Sequence, residues 1–360
     1  MDENLFCRCL AYLVDRHEIL RTVYKKEAGI YYQTILDNVD FKVEVKDVSD
    51  WNERDVKDWI LGQAAKAFDL FNEIPVRCSL LKLEEGKYYW FMNVHHIAAD
   101  GWSTGIFSRE LEVLYQQGLE EKELFLETLP IQYVDYAVHE QQIMKNGRQK
   151  ELAYWKEELK DVTGILDFPV DRKRPPMKQY NGFVYEFSMD PDLANRMDRY
   201  CKKMKMTSFM FLESAFVLLL RMYSGANDIC VGVPMANRNY DEVKQMVGFF
   251  ANTVIVRSKL EEGESVKEFL NRNRLTILKV YENANLPFEE IAGNVIFQRN
   301  PAYSPLFQYS FAMQNFKGGD PKIGNLHVIS EDSVTRTVKF DMLLTMYPEG
   351  KGYKIGRAHV

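Results

Sequence analysis

The sequence predicts a mixed α/β or α+β protein built from two lobes. Segments with the apolar spacing of helices alternate with short aromatic and β-branched runs in both halves of the chain. Its 360 residues are enough for roughly two domains of ordinary size. Between the halves lies Asp167-Phe-Pro-Val-Asp-Arg-Lys-Arg-Pro-Pro176, where prolines and alternating charges cannot continue a helix. The lobe boundary is therefore expected there, with one lobe over 1–170 and the second over 171–354.

Composition narrows the function classes. Hydrophobic residues make up 46% and charged residues 27%, a globular balance. The net charge of -6 argues against a general nucleic-acid binder, whose footprint is basic. The longest apolar run, 209–222, is broken by Glu213 and Arg221, so a buried helix is expected and not a membrane span. Met1-Asp-Glu-Asn is acidic where a secretory leader starts basic, and a cytoplasmic location is expected. Cys7, Cys9, Cys78, Cys201 and Cys230 are odd in number and scattered, which fits reduced thiols and neither a disulfide framework nor a zinc site.

Taken in order, residues 4–16 place Leu5, Cys9, Tyr12 and Leu13 at helical spacing. Residues 30–35 and 41–45 are strand-like, and 51–67 is a helix. Strands at 78–83 and 88–94 flank the Glu84-Glu-Gly86 turn. Helices follow at 105–117, 132–144 and 150–159. Past the proline-rich stretch come a strand at 184–187, a helix at 191–203 and an apolar helix at 207–223. Strands at 229–234 and 252–256 precede a long helix at 266–282. Strands at 306–313, 326–329 and 338–347 follow. Ile355-Gly-Arg-Ala-His-Val360 matches one reading frame of a common sequencing adapter, and 355–360 is expected to be an artefact.

The chemistry is expected at the end of the 88–94 strand, where His95 and His96 run into Ile97-Ala-Ala-Asp-Gly-Trp-Ser103. A lobe edge is where reactive groups are usually placed. Gly101 suits a turn, and Ser103 or Thr104 is expected to cap a helix from Gly105. Adjacent strand residues face opposite ways, so His95 packs inward when His96 points out. Asp100 leaves two readings: a dyad with His96, or a structural ion pair. A His-His-carboxylate metal site is disfavoured, because consecutive strand histidines diverge and no further cluster has ligand spacing. His17, His139 and His327 read as structural.

His95-His-Ile-Ala-Ala-Asp-Gly101 matches the HHxxxDG signature of nonribosomal peptide synthetase condensation domains, members of the chloramphenicol acetyltransferase-like superfamily. Further stretches are similar to that family's patterns, in its order. These are Arg16-His-Glu-Ile-Leu-Arg-Thr22, Tyr133-Val-Asp-Tyr-Ala137, Val231-Gly-Val-Pro-Met-Ala-Asn-Arg238, Val247-Gly-Phe-Phe-Ala-Asn-Thr253, Asn285-Leu-Pro-Phe-Glu289 and Ser304-Pro-Leu-Phe-Gln308. His139, Ala251 and Asn285 depart from the usual residues. The family's first motif, SxAQxRLW, is expected ahead of Met1 and its closing elements after Tyr353, so a fragment truncated at both ends is expected.

The resemblance implies two chloramphenicol acetyltransferase-like lobes in a V with a tunnel between them. It implies amide-bond formation between a carrier-bound acyl or peptidyl thioester and a carrier-bound aminoacyl amine. The domain would hold no cofactor, because phosphopantetheine arms of upstream and downstream carrier domains bring the substrates. An adenylation domain in the same synthetase is an expected partner, and nucleic acid and membrane are not. His96 is the expected catalytic residue, as base or as orienting group. Asp100 is expected to pair with Arg238, placed in the second lobe, and Gly101 to leave bare backbone beside the tunnel. Trp102, Asn252, Ser304 and Gln308 are expected to line it. The sequence carries no GxSxG elbow or P-loop, which suits direct acyl transfer without an enzyme nucleophile. Two rivals stand: a non-catalytic docking or recruiting module of the same fold, and an epimerization domain. The intact histidine turn argues against the first.

Overall fold

The computed structural model describes every residue except 146, 171, 296–299, 315–322, 325, 330–337, 351 and 360. The chain divides into two compact units. The first comprises Met1–Asn146, Arg238–Phe250 and the described residues of Gly318–Val334. The second comprises Gly147–Asn237, Ala251–Lys317 and Thr335–Val360, again as far as described.

The first unit contains α1 (Glu3–Arg16), β1 (Thr22–Glu27), β2 (Ile30–Ile35), β3 (Glu44–Asp47), α2 (Glu53–Ala64), β4 (Val76–Glu84), β5 (Lys87–Val94), α3 (Gly101–Leu119) and α4 (Tyr133–Lys145). β1 and β2 form an antiparallel hairpin. β3 runs parallel to β4, and β4 runs antiparallel to β5. The apolar stripe of α1 explains its place. Leu5, Phe6, Cys9, Leu10 and Leu13 pack in one cluster with Leu80 of β4 and Ile106, Leu111 and Leu114 of α3. That packing holds the end of β5 and the start of α3 on a fixed base.

The second unit contains α5 (Gln149–Glu158), β6 (Phe183–Ser188), α6 (Pro191–Met204), α7 (Ser208–Ser224), β7 (Asp228–Met235), β8 (Asn252–Lys259), α8 (Val266–Glu282), α9 (Phe288–Val295), β9 (Tyr309–Met313), β10 (Met342–Glu349) and β11 (Gly352–His359). Among the described residues, its six strands lie in the order β6-β11-β10-β9-β7-β8. β9 is parallel to both β10 and β7, and the remaining pairs are antiparallel. Local signals set the helix ends. Thr207 caps α7 through the Met210 amide, and Gly225 closes it at a φ of 70°, a conformation that favours glycine. Ser265 and Glu268 form a reciprocal capping box on α8.

Three features differ from the sequence reading. The proline-rich stretch is not where the units divide. Contacts divide at Asn146/Gly147, because Trp155 of α5 is fully buried and donates to the Asn283 carbonyl at 2.9 Å. Arg257 of β8 also takes the carbonyls of Glu158 and Lys160, at 2.7 and 2.9 Å. The stretch itself is a strap on the second unit: Arg174 pairs with Asp341, and the Lys178 amide donates to the Pro301 carbonyl. Second, the strand expected at 326–329 does not form, and Leu326 makes only an isolated bridge to Ile323. Third, Thr22–Glu27 is a strand that the sequence pattern does not single out. Residues 355–359, expected to be artefactual, continue β11, which pairs in register with β10 and β6; residue 360 lies outside the described residues.

No single helix among the described residues is long and apolar enough to cross a membrane. In the apolar helix α7, Glu213 is fully buried and does not face solvent. Its Oε2 accepts from Asn273 Nδ2 at 2.7 Å, and Asn273 in turn joins Ser214 and Ser258. Burial pushes its carboxyl up to about 8, against the opposing hydrogen bond from Asn273. The folded protein therefore keeps this proton between the ordinary carboxylate range and about pH 8, while the unfolded chain has lost it. Stability from this group is full below the unfolded value and falls as pH rises through the folded one, by at most about 1 kcal/mol per pH unit. Glu213→Gln is expected to flatten that fall in denaturant midpoints measured from pH 5 to pH 8. An unchanged slope in the variant would mean that Glu213 is ionised in the fold.

Candidate active site

β5 delivers the histidines. Its last residue is Val94, after which the His95 amide donates to the Pro75 carbonyl at 2.8 Å and the His95 carbonyl accepts from Ala98 at 2.9 Å. His95 Nδ1 accepts from the Ile97 amide at 3.0 Å, so its ring is tied into the turn. Burial first, and the neighbouring His96 second, hold the His95 imidazole below its usual value. His96 is exposed, and its ring meets that of Phe249 edge to face, with centroids 4.9 Å apart.

The helix that follows starts earlier than expected. Asp100 is its N-cap, accepting from the Ser103 amide at 2.9 Å, so α3 begins at Gly101 and not at Gly105. A carboxylate at this position satisfies an amide that no helical carbonyl can reach. Gly101 is therefore the first helical residue, without a positive φ, and not a left-handed turn glycine.

Asp100 and Arg238 form a buried ion pair. Asp100 Oδ1 accepts from Arg238 Nη2 at 3.0 Å, with both side chains almost wholly excluded from solvent, at 3% and 2% exposure. The carboxylate is engaged by these partners and not by His96: its Oδ1 also takes the Ser103 hydroxyl at 2.8 Å, and Oδ2 takes the Phe250 amide at 3.2 Å. Arg238 Nη1 donates to the carbonyls of Val243 and Met246 at 2.5 and 2.6 Å. Its guanidinium lies 4.1 Å from the Phe250 ring centroid. Burial lowers the Arg238 pKa from its ordinary value, and Asp100 acts to raise it. Arg238 packs within the first unit and not, as expected, with the second, because every one of these partners belongs to the first.

Sequence reasoning missed Ser103, Tyr133 and Gly248 in this network. The Ser103 hydroxyl donates to Asp100 or to the Gly248 carbonyl, at 3.0 Å for the latter, and accepts from the Gly248 amide at 3.1 Å. Tyr133 donates to the Phe249 carbonyl at 2.8 Å. A serine three residues after an aspartate is a capping signal that could have found the first; nothing local in the sequence marks the long-range bonds. Gly248 must be glycine here, since a Cβ would sit 2.4 Å from the Tyr133 ring and 2.7 Å from that of Phe250. Gly248→Ala is expected to cost about 1–3 kcal/mol by overpacking. A thermal melt indistinguishable from that of the parent would contradict this close approach.

The other expected site residues fall as follows. Trp102 lies in the first unit and donates from Nε1 to the Lys244 carbonyl at 3.0 Å. Asn252, Ser304 and Gln308 belong to the second unit. Asn252 spends its amide on backbone, donating to Ala284 and Leu286 at 2.9 Å each and accepting from Phe288 at 3.1 Å. Ser304 is bonded by Lys178 and faces a cavity beside Phe288 and Tyr303. Gln308 is buried, and its Oε1 accepts from the Leu166 amide at 2.9 Å. Among the described residues, no three His, Cys, Asp or Glu side chains are grouped to hold a metal ion.

The profile of the condensation-domain family matches residues 1–356. The chain belongs to the condensation-domain family. This condensation domain is 35% identical over 352 residues to a linear gramicidin synthase of Brevibacillus parabrevis, covering 96% of the chain but only 7% of that relative's length. Among solved structures it superposes on the X-domain from teicoplanin biosynthesis with a TM-score of 0.90 at 21% identity, covering 99% of this chain and 81% of that one. It matches holo-AB3403, a four-domain nonribosomal peptide synthetase bound to AMP and glycine, with a TM-score of 0.86 at 18% identity, covering 99% of the chain and 28% of that structure. At such identities the structural likeness speaks for the fold alone. The mixed α/β, chloramphenicol acetyltransferase-like fold expected from the HHxxxDG turn is the fold of this family.

Proposed function

We propose that this condensation domain forms an amide bond between two carrier-bound substrates, with His96 at the reacting centre. The observation that carries the reading is the construction of the histidine turn. Asp100 and His95 are held by Arg238, Ser103, Phe250 and Ile97, which leaves His96 exposed on a rigid support. A base or orienting group is effective when its position is fixed before the substrate arrives.

In the proposed step the acceptor amine nitrogen attacks the donor thioester carbonyl, and the carbon–nitrogen bond forms. The nitrogen becomes positive and gives its proton to His96 Nε2 or Nδ1. The carbon–sulfur bond then breaks, and the thiolate of the donor's phosphopantetheine arm takes a proton as it leaves. An imidazole can hold a proton near neutral pH and return it. The donor is already activated, so no enzyme nucleophile is needed. The partners this reading requires are upstream and downstream carrier domains, with an adenylation domain of the same synthetase; that the chain spans only 7% of the linear gramicidin synthase it resembles is in keeping with a place in a longer synthetase.

The test is reconstitution with both carriers loaded, followed by mass spectrometry and chiral analysis of the tethered product. An amide-linked product on the acceptor carrier supports the reading. Inversion of a single tethered aminoacyl group without amide formation would assign epimerization. Neither product from loaded carriers would point to a recruiting module.

A further inference from the structure

We propose that Phe249 is the positioning residue for His96. This inference rests on the assignment of His96 to amide formation. The two rings meet edge to face at a centroid distance of 4.9 Å and an interplanar angle of 76°. That is within the range of a specific aromatic contact.

What sets Phe249 apart is how its backbone is held. On one side, the Gly248 amide donates to Ser103 Oγ at 3.1 Å, and the Gly248 carbonyl accepts from Arg238 Nη2 at 3.3 Å. On the other, the Phe250 amide donates to Asp100 Oδ2 at 3.2 Å. The carbonyl of Phe249 itself accepts from the Tyr133 hydroxyl at 2.8 Å. Both peptide groups around the residue are thus fixed, and its ring keeps only its own torsions. Its neighbours Val247 and Phe250 are buried in the core, at 1% and 3% exposure, whereas Phe249 is 40% exposed. The Phe249 ring therefore adds little to the core and is presented to the imidazole. The same side chains that lock the Asp100 turn also lock the residue against which His96 rests. The turn and the 247–250 segment thereby set the direction of one imidazole together.

The test uses Phe249→Leu and Phe249→Tyr in the full synthetase chain. Three readouts are taken: melting, single-turnover amide formation over a range of loaded-carrier concentrations, and carbethoxylation of His96 by diethyl pyrocarbonate mapped by mass spectrometry. Phe249→Leu is expected to leave the melt in place, because the ring is not part of the buried clusters that hold Val247 and Phe250. Carbethoxylation of His96 should speed up, and the rate at saturating carriers should fall roughly 10- to 100-fold with half-saturation little changed. Phe249→Tyr, which keeps the ring, should restore both. Unchanged carbethoxylation, or a saturated rate within about twofold of the parent, overturns the inference. Should Phe249→Leu melt early, Tyr133→Phe removes the donor to the Phe249 carbonyl without touching either ring, and the same two readouts decide. Full activity in His96→Ala would defeat the reading of His96, while the carbethoxylation arm would still report whether Phe249 orders it.

Discussion

Arg238→Ala is expected to be the most destabilising single substitution in the histidine turn. The guanidinium is buried and bonds Asp100, Ser103 and the carbonyls of Val243, Met246 and Gly248. Removing it leaves a buried carboxylate without its counter-charge and several carbonyls without donors. Breaking such a pair from one side costs roughly 3–5 kcal/mol. Asp100→Ala should cost less, because Arg238 keeps its carbonyl partners, although the N-cap of α3 is lost as well, at about 1 kcal/mol. The double variant should be little worse than Arg238→Ala, since the two residues act as one unit. These outcomes are read from denaturant midpoints of the two single variants and the double. Additive costs, or an Arg238→Ala midpoint equal to that of the parent, would mean that the pair does not hold the turn.

Much of this site is legible in the sequence because it is local. The strand of aromatic residues, the two histidines and the aspartate lie within fourteen residues. Strand alternation does not place the histidines, because β5 ends at Val94 and both lie in the turn that follows. The pairing of Asp100 with Arg238 is reachable only through motif resemblance, since 138 positions separate them. The helix start misleads for a physical reason. Serine and threonine are common caps, but here the aspartate one turn earlier takes the amide, and Ser103 is free to reach Gly248.

The unit boundary misleads because prolines and charges mark any segment that leaves a helix, whether it links two bodies or straps one. Trp155, buried against Asn283 before the prolines begin, decides which it is, and its burial is not visible in local pattern. Glu213 misleads in the opposite sense. A carboxylate in an apolar run reads as an interruption, yet here it lies wholly in the core beside Asn273, sixty positions away.

His96→Ala carries the largest expected effect on activity. Positioned proton transfer typically contributes ~10²–10⁴-fold, and the alanine variant removes both the acceptor and its orientation. His96 is exposed and sits outside the Asp100–Arg238 network, so the fold should survive the change. Under the proposed function the loss should appear in the chemical step, with both carriers still able to be loaded. The decisive measurement is therefore single-turnover amide formation by His96→Ala with both carriers shown by mass spectrometry to be loaded. The account predicts a rate at least about 100-fold below the parent with an unchanged melt. A rate within about threefold of the parent would show that His96 is not the centre of the chemistry.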